Sequence, residues 1–397
     1  MTRVGVLTVG RSDFSILHPL VTALVDAADF ETGLLVGGAH FDKTAGHTID
    51  DVRTSGLPVW AELPCAHFGG SADVTNRAMA EQIGHVPAAL AQARPDLVVI
   101  LGDRFEAAAI GLALVAQNVP IAHISGGSIT EGAVDDVFRH CLTKMAAIHF
   151  CDLPAFARRI QAMGEDPARI FAVGALGLDG IARMPRHSFA ALAQAFDLPA
   201  SFGAGYVLAT LHPETRALEQ TRAMVQGFIA ALAQQPLPVI FTYPNADPGA
   251  DEIIAAIEHA AAGNPAFRVV RNFGQKWFYT AMAHARIVAG NSSSGIIEAA
   301  TFGLPVVNIG DRQKNRYCER NVIHTGTGTS EIAAALATAT SATMQNALAD
   351  FINPYGDGTA VPRILAALRQ VDWRAASAVK PFHDAMPGYT GNPEAAA

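Results

Sequence analysis

The chain has 397 residues, of which 50% are hydrophobic and 16% charged, and its formal net charge is −8 at pH 7. This length is enough for two domains with a large core, and the negative charge argues against nucleic acid as the main partner. No apolar run reaches the ~20 residues that a membrane-spanning helix needs. The four cysteines show no CxxC spacing, and a strand begins at the N-terminus without room for a signal peptide. We therefore expect a reduced, cytoplasmic protein that does not enter a membrane.

Strands and helices alternate in the first half of the chain. Short apolar runs predict strands at residues 4–9, 34–36, 97–101, 121–124, 148–151 and 170–173, and helices are predicted at residues 14–28, 74–93 and up to about 117. This alternation is typical of a parallel, doubly wound sheet. A polar loop with His40, Asp42 and His47 follows the second strand. It is either a lid over a site or a solvated connection.

A break at residues 180–188 precedes a second series of the same kind. Strands are predicted at residues 206–211, 239–242, 267–270, 287–289 and 306–309, with a helix beginning at residues 212–214 and a last helix at 359–368. Proline at position 213 suits a first helical turn. We predict an α/β protein with two doubly wound, Rossmann-like domains, residues 1–182 and 183–365, that face a cleft. Residues 366–397 are expected to be the end of the last helix and a tail that packs back on the first domain.

Two neighbouring strands of the first half end in charged residues. Asp103 and Arg104 follow the strand at 97–101, and Glu131, Asp135 and Arg139 follow the strand at 121–124. Ligands of open α/β sheets bind at this carboxyl edge. A carboxylate at the end of a buried strand is costly unless it is paired or used, so Asp103 is a catalytic candidate. The alternatives are structural: Arg104 pairs with Asp103, and Asp135 pairs with Arg139 at i,i+4.

The second half contains a candidate phosphate site. Residues 290–295, GNSSSG, lie between a strand and a helix, where exposed N–H groups and the helix dipole attract an anion. Glu298 follows one turn later, where its carboxylate can accept the hydroxyls of a ribose. The alternative is an ordinary N-cap. The absence of GxGxxG, Walker A, HExxH and paired CxxC patterns argues against a dinucleotide, a P-loop nucleotide and a metal ion.

Several motifs along the chain form a recognisable set. They are GRSD at 10–13, GDRFE at 102–106, GG at 126–127 with TEGAVDD at 130–136, RH at 139–140, LHP at 211–213, NSSSGIIE at 291–298 and NIGDRQ at 308–313. From Arg3 to about Leu368 the chain thus resembles the hydrolysing UDP-N-acetylglucosamine 2-epimerases of sialic and legionaminic acid pathways.

The resemblance implies a glycosyltransferase-B-like fold with the sugar and the catalytic groups on the first domain and UDP on the second. It also implies the reaction, in which anti elimination of UDP gives a 2-acetamidoglucal and water then adds with inversion at C2. This chemistry needs a base for the C2 proton, an acid on the opposite face and stabilisation of the departing diphosphate. It implies no cofactor and no metal.

The resemblance also implies the residues of the site. Asp103, Glu131 and Asp135 are the candidate acids and bases. Glu298 is implied to hold the ribose, and Ser292 and Ser293 the diphosphate. The full set of implied substrate-binding residues is Arg11, Asp13, Arg104, His212, Asn272, Ser292, Ser293, Ser294, Gly295, Glu298 and Arg312.

One position departs from the family pattern. Some members carry a catalytic glutamate directly before the Gly-Gly pair, and this chain has Ser125 there. Glu131 is a candidate for the missing carboxylate, since Glu131 and Asp135 are i,i+4 and would share one helix face. The competing interpretation is structural, with Ser128 as N-cap and Glu131 completing a capping box.

Three functions remain open from the sequence. The first is a hydrolysing epimerase that releases UDP and an N-acetylmannosamine-type sugar from UDP-N-acetylglucosamine, or acts in the same way on UDP-2,4-diacetamido-2,4,6-trideoxyglucose. The second is a glycosyltransferase that uses a UDP-sugar. The third is a binding protein that has lost catalysis. The partner in each case is a UDP-sugar, and the resemblance implies a homo-oligomer, a dimer or a tetramer.

Overall fold

The computed structural model describes residues 1–43, 46–68, 71–214, 217–244, 249–372 and 380–384. Within these residues the strands are β1 Thr2–Thr8, β2 Phe30–Val36, β3 Val59–Glu62, β4 Leu97–Leu101, β5 Ile121–Ile124, β6 Ile148–Cys151, β7 Ile170–Ala172, β8 Val207–Thr210, β9 Val239–Thr242, β10 Phe267–Val270, β11 Ile287–Gly290, β12 Val306–Ile309 and β13 Val322–Thr325.

Helices connect these strands. In the same part of the chain they are α1 Arg11–Val25, α2 Ile49–Thr54, α3 Ala72–Gln92, α4 Phe105–Ala116, α5 Asp135–Met145, α6 Pro154–Ala162, α7 Gly177–Arg183, α8 Phe189–Phe196, α9 Thr221–Leu232, α10 Ala250–Gly263, α11 Gly274–His284, α12 Ser293–Ile296, α13 Thr329–Ala339, α14 Ala342–Ala347 and α15 Ala360–Gln370. Short 3₁₀ helices lie at Gly38–Phe41, Pro167–Arg169, Ala200–Ala204, Leu218–Gln220 and Ala299–Phe302.

Both sheets are parallel and doubly wound. Over the described residues the first sheet has the order β3-β2-β1-β4-β5-β6-β7 and the second has the order β10-β9-β8-β11-β12-β13. In each sheet the strand order reverses once, between β1 and β4 and between β8 and β11. The loops that follow these central strands diverge and leave a crevice, which is where open α/β sheets bind ligands. The predicted α/β class with two Rossmann-like halves is confirmed.

The strand sequences explain why the sheets are buried on both faces. Leu97 and Val99 of β4 pack into one hydrophobic cluster, whereas Val98 and Ile100 pack into the cluster on the opposite face. Successive side chains of a strand point to opposite faces, so an unbroken apolar run suits a sheet covered by helices on both sides. Burying one such side chain contributes about 1.5–3 kcal/mol.

The last helix returns to the first half of the chain. Ile364 and Leu368 of α15 belong to the hydrophobic cluster that covers one face of the first sheet. The buried carboxylate of Asp179 in α7 accepts the N–H groups of Ala360 at 2.9 Å and Val361 at 2.8 Å, and so caps the start of α15. Further along, Lys380 lies 2.8 Å from Glu165, which follows α6.

The structure differs from the sequence analysis at three points. The sequence analysis did not predict β3 and β13, whose side chains are partly exposed and which lie at sheet edges. A helix does not begin at His212, because residues 211–214 form an irregular segment and α9 starts only at Thr221. Helix α1 begins at Arg11 rather than at residue 14, so Arg11 occupies its first turn. In the described ranges, none of the helices is long and apolar enough to cross a bilayer.

Candidate active site

The carboxyl edges of the two sheets approach each other and form the walls of a cleft. The loop after β5 contacts the loop after β12, because the N–H of Glu131 donates to the carbonyl of Lys314 at 3.3 Å. Gly132 lies so close to the second wall that a Cβ there would come within 2.2 Å of the Asp311 carbonyl oxygen. Glycine at this position therefore permits the contact between the walls.

Asp103 lies just after β4 and pairs with Arg139 of helix α5. The Nη2 and Nε atoms of Arg139 both donate to Asp103 Oδ2, the latter at 3.1 Å. The Arg139 side chain is only 3% exposed, whereas 31% of the Asp103 side chain remains accessible from the cleft. Burial alone would raise the pKa of Asp103, yet Arg139, with help from Arg316, holds that pKa below its usual value. Asp103 is thus a fixed, ionised carboxylate.

Arg139 also fixes the loop after β5. It donates to the Ser128 carbonyl at 3.1 Å, to Thr130 Oγ1 at 2.9 Å and to Asp136 Oδ1 at 3.0 Å. Five donors in a planar fork explain why arginine suits this position. The hydrogen bonds of Arg139 join β4, the loop after β5 and α5, so they position Asp103 relative to the rest of the wall.

This arrangement corrects one structural alternative considered for the sequence. Arg104 is not the partner of Asp103, since its guanidinium pairs with Glu106 at 3.0 Å. Arg139, for which a pair with Asp135 was considered, forms ion pairs with Asp103 and Asp136. Asp135, the first residue of α5, interacts electrostatically with both Arg104 and Arg139. The other predicted i,i+4 pair, Asp136 with His140, is confirmed at 3.6 Å.

Asp13 lies on the same wall, in the first turn of α1. Its Oδ2 atom accepts the Val9 N–H at 2.7 Å, and its Oδ1 atom is buried without a hydrogen-bond partner in the described part of the chain. Burial raises the pKa of Asp13 to about 6, although Arg104 opposes this shift. An orphaned oxygen of this kind is typical of a site that awaits a ligand. Arg11, at the start of the same helix, is exposed.

The loop after β2 supports Asp13 from behind. His40 is fully buried, with one ring nitrogen 2.8 Å from Thr8 Oγ1 and the other 2.8 Å from Thr48 Oγ1. Thr8 in turn donates to Asp13 at 3.3 Å. This part of the loop is neither a solvated connection nor a lid but a packed element of the wall. Residues 44 and 45 of the loop lie outside the described residues.

Glu131 lies at the mouth of the cleft rather than beside Asp103. It lines an open cavity of about 440 Å³ together with Gly132, Glu214, Ala217, Gln220, Asp311 and Lys314. The capping box proposed for Ser128 and Glu131 does not form, because α5 begins only at Asp135 with Val134 as its N-cap. For the same reason Glu131 and Asp135 do not share a helix face.

A buried asparagine organises the second wall. Asn291 Oδ1 accepts the His212 N–H at 2.7 Å, and its amide group donates to the His212 carbonyl at 2.9 Å. The Asn291 carbonyl accepts from Arg312 at 3.1 Å and from Gln313 at 3.0 Å. Asn291 therefore ties the ends of β8, β11 and β12 together. These hydrogen bonds also explain why the chain after β8 continues as an irregular segment instead of a helix.

The predicted phosphate-binding segment begins at this point. Gly290 has φ +136°, and a Cβ there would lie 1.8 Å from the Thr210 carbonyl oxygen, so only glycine allows the close approach of β8. Ser292 is the N-cap of the short helix α12, and its hydroxyl accepts the Ser294 N–H at 3.4 Å. Ser292, Ser293 and Ser294 are half-buried, and Gly295 packs inward against Val306.

Glu298 follows α12 and faces the first wall. Its Oε1 atom is 3.5 Å from the Cβ position of Gly177, and its Oε2 atom is buried without a hydrogen-bond partner among the described residues. Burial raises the pKa of Glu298 to about 7, with Arg316 opposing the shift and Asp152 adding to it. Glu298 and Asp13 thus place two unsatisfied carboxylate oxygens in one cleft.

His212 and Arg312 complete the second wall. His212 is 5% exposed, and burial, with a smaller effect of Arg312, lowers its pKa to about 3, so the ring is a neutral hydrogen-bonding group. The backbone of Arg312 is fixed by Glu214, whose Oε1 atom accepts the N–H groups of Asp311 at 2.7 Å and Arg312 at 3.2 Å. Arg312 is half-buried and close to the start of α12 through its bond to Asn291.

Sequence reasoning missed Arg316 and Asp152, and the structure places Asn272 apart from the other predicted residues. Arg316 belongs to the second half yet interacts with Asp103 and Asp152 of the first, so it lies across the cleft. Neither residue stands in a motif that spacing alone identifies. Asn272 is exposed beyond the edge strand β10, where its side chain accepts the Gly274 N–H at 2.9 Å and begins α11. The predicted contact of Asn272 with the substrate stays a prediction.

Comparison with known proteins agrees with the fold and gives the family. The solved UDP-GlcNAc 2-epimerase of Neisseria meningitidis, bound to UDP-GlcNAc, matches with a TM-score of 0.80 at 16% identity, over 94% of this chain and 100% of that one. The chain thus has the glycosyltransferase-B-like fold, in which two Rossmann-like halves enclose a cleft. Residues 22–369 match the UDP-N-acetylglucosamine 2-epimerase family, and the chain belongs to that family.

Two relatives with 2-epimerase names match most of the chain. The UDP-N,N'-diacetylbacillosamine 2-epimerase (hydrolyzing) of Legionella pneumophila is 29% identical over 91% of this chain and 94% of its own length. The UDP-N-acetylglucosamine 2-epimerase of Neisseria meningitidis is also 29% identical, over 84% of this chain and 86% of its own length. The resemblance found in the sequence is therefore confirmed, and the chain is an enzyme of the 2-epimerase type.

Proposed function

We propose that this enzyme is a hydrolysing 2-epimerase that releases UDP from a UDP-2-acetamido sugar and gives a free N-acetylmannosamine-type sugar. The observation that carries the proposal is the pairing of two chemistries in one cleft. Asp103 is held ionised by Arg139 on one wall, and Glu298 presents an unsatisfied carboxylate oxygen on the other. Asp103 can thus accept a proton from the sugar, while Glu298 on the opposite wall can accept hydrogen bonds from the ribose hydroxyls.

The first step of the reaction is elimination of UDP. In this step Asp103 removes the proton from C2, the bond between C1 and the phosphate oxygen breaks, and the sugar becomes a 2-acetamidoglucal. A general base must be ionised at the working pH, which Arg139 ensures for Asp103. The catalytic roles predicted for Glu131 and Asp135 stay predictions. Asp135 is supported by its place at the start of α5, beside Arg104.

The second wall binds UDP in this proposal. The N–H groups of residues 292–295 and the side chain of Arg312 surround the diphosphate, which leaves as an anion and needs donors that are already in place. The neutral ring of His212 adds a hydrogen bond without a charge of its own. Glu298 accepts the two ribose hydroxyls. Arg11, Arg104 and Asp13 are proposed to contact the sugar and phosphates from the first wall.

A second substrate is supported by the relatives. The hydrolysing enzymes of Legionella pneumophila and Campylobacter jejuni carry names that specify N,N'-diacetylbacillosamine, the 2,4-diacetamido-2,4,6-trideoxy sugar. The same cleft chemistry serves either sugar, because the reaction takes place at C1 and C2. The groups at C4 and C6 then decide between them. We propose the loop at residues 37–47 as the region that makes this choice, since His40 connects it to Asp13 through Thr8.

A substrate panel tests the proposal directly. Purified enzyme is incubated in D2O with UDP-N-acetylglucosamine and with UDP-2,4-diacetamido-2,4,6-trideoxyglucose, and UDP release and the sugar product are followed by NMR. We expect UDP and a free manno-configured sugar that carries deuterium at C2, with one of the two substrates preferred. An epimerised UDP-sugar as the final product would contradict hydrolysis, and transfer of the sugar to an acceptor would indicate a glycosyltransferase.

The expected homo-oligomer and the cytoplasmic location stay predictions. Four partly exposed apolar side chains on adjacent helices of the first half support an oligomer: Ile83, Leu112, Val115 and Val137. Light scattering on the purified protein would test this, with a dimer or a tetramer expected.

A further inference from the structure

A serine and a buried aspartate lie at the ends of two adjacent strands beside Asp103. Ser125 follows β5 and Asp152 follows β6, and the Ser125 hydroxyl donates to Asp152 Oδ1 at 2.9 Å. Ser125 is half-buried, whereas Asp152 is only 5% exposed. The hydroxyl thus lies between the aspartate and the cleft. Asp103, Ser125 and Asp152 end three consecutive strands of one sheet, so they share one section of the wall.

The backbone at Ser125 is unusual. Its φ of +64° lies in the left-handed region, which costs a residue with a side chain about 1–3 kcal/mol when it is imposed by the surroundings. Glycine would relieve this strain, and glycines occupy the next two positions. Backbone strain of this kind clusters at functional sites, which makes the Ser125 hydroxyl a candidate functional group. In the described part of the chain, this hydroxyl donates a hydrogen bond to Asp152.

The groups around Asp152 come from both halves of the chain. Arg316 and Arg139 attract its charge, and Glu298 repels it. Burial nevertheless raises the pKa of Asp152 above its usual value. Unlike Asp103, Asp152 is bonded to a hydroxyl rather than directly to a guanidinium. One carboxyl is therefore stabilised as an anion while its neighbour is suited to carry a proton, which is the division expected of a base and an acid.

We propose that Ser125 and Asp152 form a proton relay that delivers the new C2 proton in the second half of the reaction. This inference rests on the proposed hydrolytic function. Ser125 Oγ contacts the sugar, and Asp152 acts through Ser125. The pair would supply, from β6, the carboxyl group that the chain lacks at position 125.

The steps of the relay balance as follows. When Asp152 is protonated, its hydrogen bond with Ser125 reverses, so that the carboxyl group donates and the Ser125 hydroxyl is free to point at the sugar. The Ser125 O–H bond then breaks as its proton bonds to C2 of the 2-acetamidoglucal, and the carboxyl proton of Asp152 passes to Ser125 Oγ. Water bonds to the electron-poor C1 and loses a proton to the solvent, which gives the free sugar. Asp152 remains as a carboxylate near Arg316 and regains a proton from solvent. Asp103 returns the proton that it removed from C2 during elimination to the solvent.

Three variants test the relay: Asp152→Asn, Ser125→Ala and the double exchange Ser125→Glu with Asp152→Ala. Asp152→Asn keeps an oxygen that accepts the Ser125 hydroxyl but removes the exchangeable proton. We expect formation of the free sugar to fall ~100-fold or more in both single variants, as for loss of a general acid. The 2-acetamidoglucal should accumulate, because UDP release depends on Asp103 and is affected less. The double exchange should recover much of the activity by placing a carboxyl at position 125.

Asp166→Asn is the matched control. Asp166 lies at the opposite end of β7, where its side chain accepts the Ala168 N–H at 2.9 Å and caps the Pro167–Arg169 turn. Asp166→Asn removes a carboxylate from the same domain at a position outside the cleft, so normal turnover is expected. Circular dichroism and UDP binding confirm that each variant is folded.

The outcomes separate the relay from the proposed function. If the wild type gives no free manno sugar, the hydrolytic function itself fails. If the wild type hydrolyses its substrate and folded Asp152→Asn or Ser125→Ala does so at a similar rate, the relay is wrong. Equal loss of UDP release and sugar formation, without glycal and without recovery in the double exchange, would reduce Asp152 to a structural role and also overturn the relay. Glycal accumulation with recovery in the double exchange would support it.

Discussion

The two walls of the cleft achieve their geometry with different chemistry. On the first wall, charged side chains hold one another, as in the pair of Asp103 with Arg139 and the pair of Arg104 with Glu106. On the second wall the central organiser is the neutral Asn291. Its side chain accepts the backbone N–H of His212 after β8, and its carbonyl accepts from the side chain of Arg312 after β12. Proton transfer needs groups whose charge is tuned, whereas binding a nucleotide diphosphate needs fixed donors that do not change charge. We therefore propose that the first wall carries out proton transfer and that the second wall binds the nucleotide.

The largest expected effect breaks the charged wall. Asp103→Asn keeps the shape of the side chain and removes its ability to accept a proton. We expect kcat to fall ~100-fold or more. UDP affinity should be nearly unchanged, because the residues proposed to hold UDP lie mainly on the other wall. Steady-state kinetics and calorimetric titration of UDP measure the two quantities. Normal turnover at saturation with weakened UDP binding would assign Asp103 to binding instead.

The next effect concerns Glu298 on the second wall. Glu298→Gln should weaken UDP binding by about 1.5–3 kcal/mol, because it removes the charge-assisted bonds that we propose between Glu298 and the ribose. Because the pKa of Glu298 is raised to about 7 and the ribose hydroxyls donate to the ionised form, UDP affinity should fall as pH decreases below 7. Calorimetry at pH 6 and pH 8 should show this decrease in the wild type.

Glu298→Gln itself serves as the pH control, because the protonation of free UDP is the same in experiments with either protein. The pH dependence that remains in Glu298→Gln belongs to the ligand, and only the difference belongs to Glu298. An identical pH dependence in both proteins would show that Glu298 does not face the ribose.

A smaller effect is expected for Glu131. It lies exposed at the cleft mouth, and the Ser125–Asp152 pair lies nearer to Asp103 in the sheet. Glu131→Gln should therefore lower kcat by less than ~10-fold and leave stability nearly unchanged, in contrast to the loss of a general acid. The measurement is kcat at saturating substrate beside the Asp152→Asn value. A ~100-fold loss in Glu131→Gln alone would return the missing carboxylate role to Glu131.

The two walls also differ in how much of them the sequence predicts. The segment at 290–298 is local, so its strand, serines and Glu298 follow from neighbouring residues. The bond between Asp103 and Arg139 joins residues 36 positions apart, and no periodicity predicts it. Asp152 stands between Cys151 and Leu153 without a motif, so only the sheet order places it beside Ser125.

The fold shows the same limit. Central strands such as β4 are predicted because both of their faces are apolar. The edge strands β3 and β13 are half-exposed and lack that signal. At His212 the local rule for proline favoured a helix, but hydrogen bonds to Asn291, 79 residues away, hold the segment in another conformation. Tertiary contacts thus override local preference where two loops meet at the site.

The smallest expected effect is on stability, and it differs between two carboxylates of the first wall, Asp13 and Asp103. Burial raises the pKa of Asp13 from 3.8 to about 6, so the native state binds its proton more tightly than the unfolded state, and stability is lost as pH rises from 4 to 6. Asp13→Asn removes this cost and still accepts the Val9 N–H. A shift of this size corresponds to at most about 3 kcal/mol, and screening by cleft water reduces the expected gain to about 1 kcal/mol at pH 8. Urea denaturation at pH 8 and pH 4.5 should show a gain that shrinks at the lower pH. Asp103→Asn should instead lower the stability at both pH values, because the lowered pKa of Asp103 makes its ionised form stabilising above pH 4. A gain in Asp13→Asn that is equal at both pH values would contradict an unsatisfied charge at Asp13.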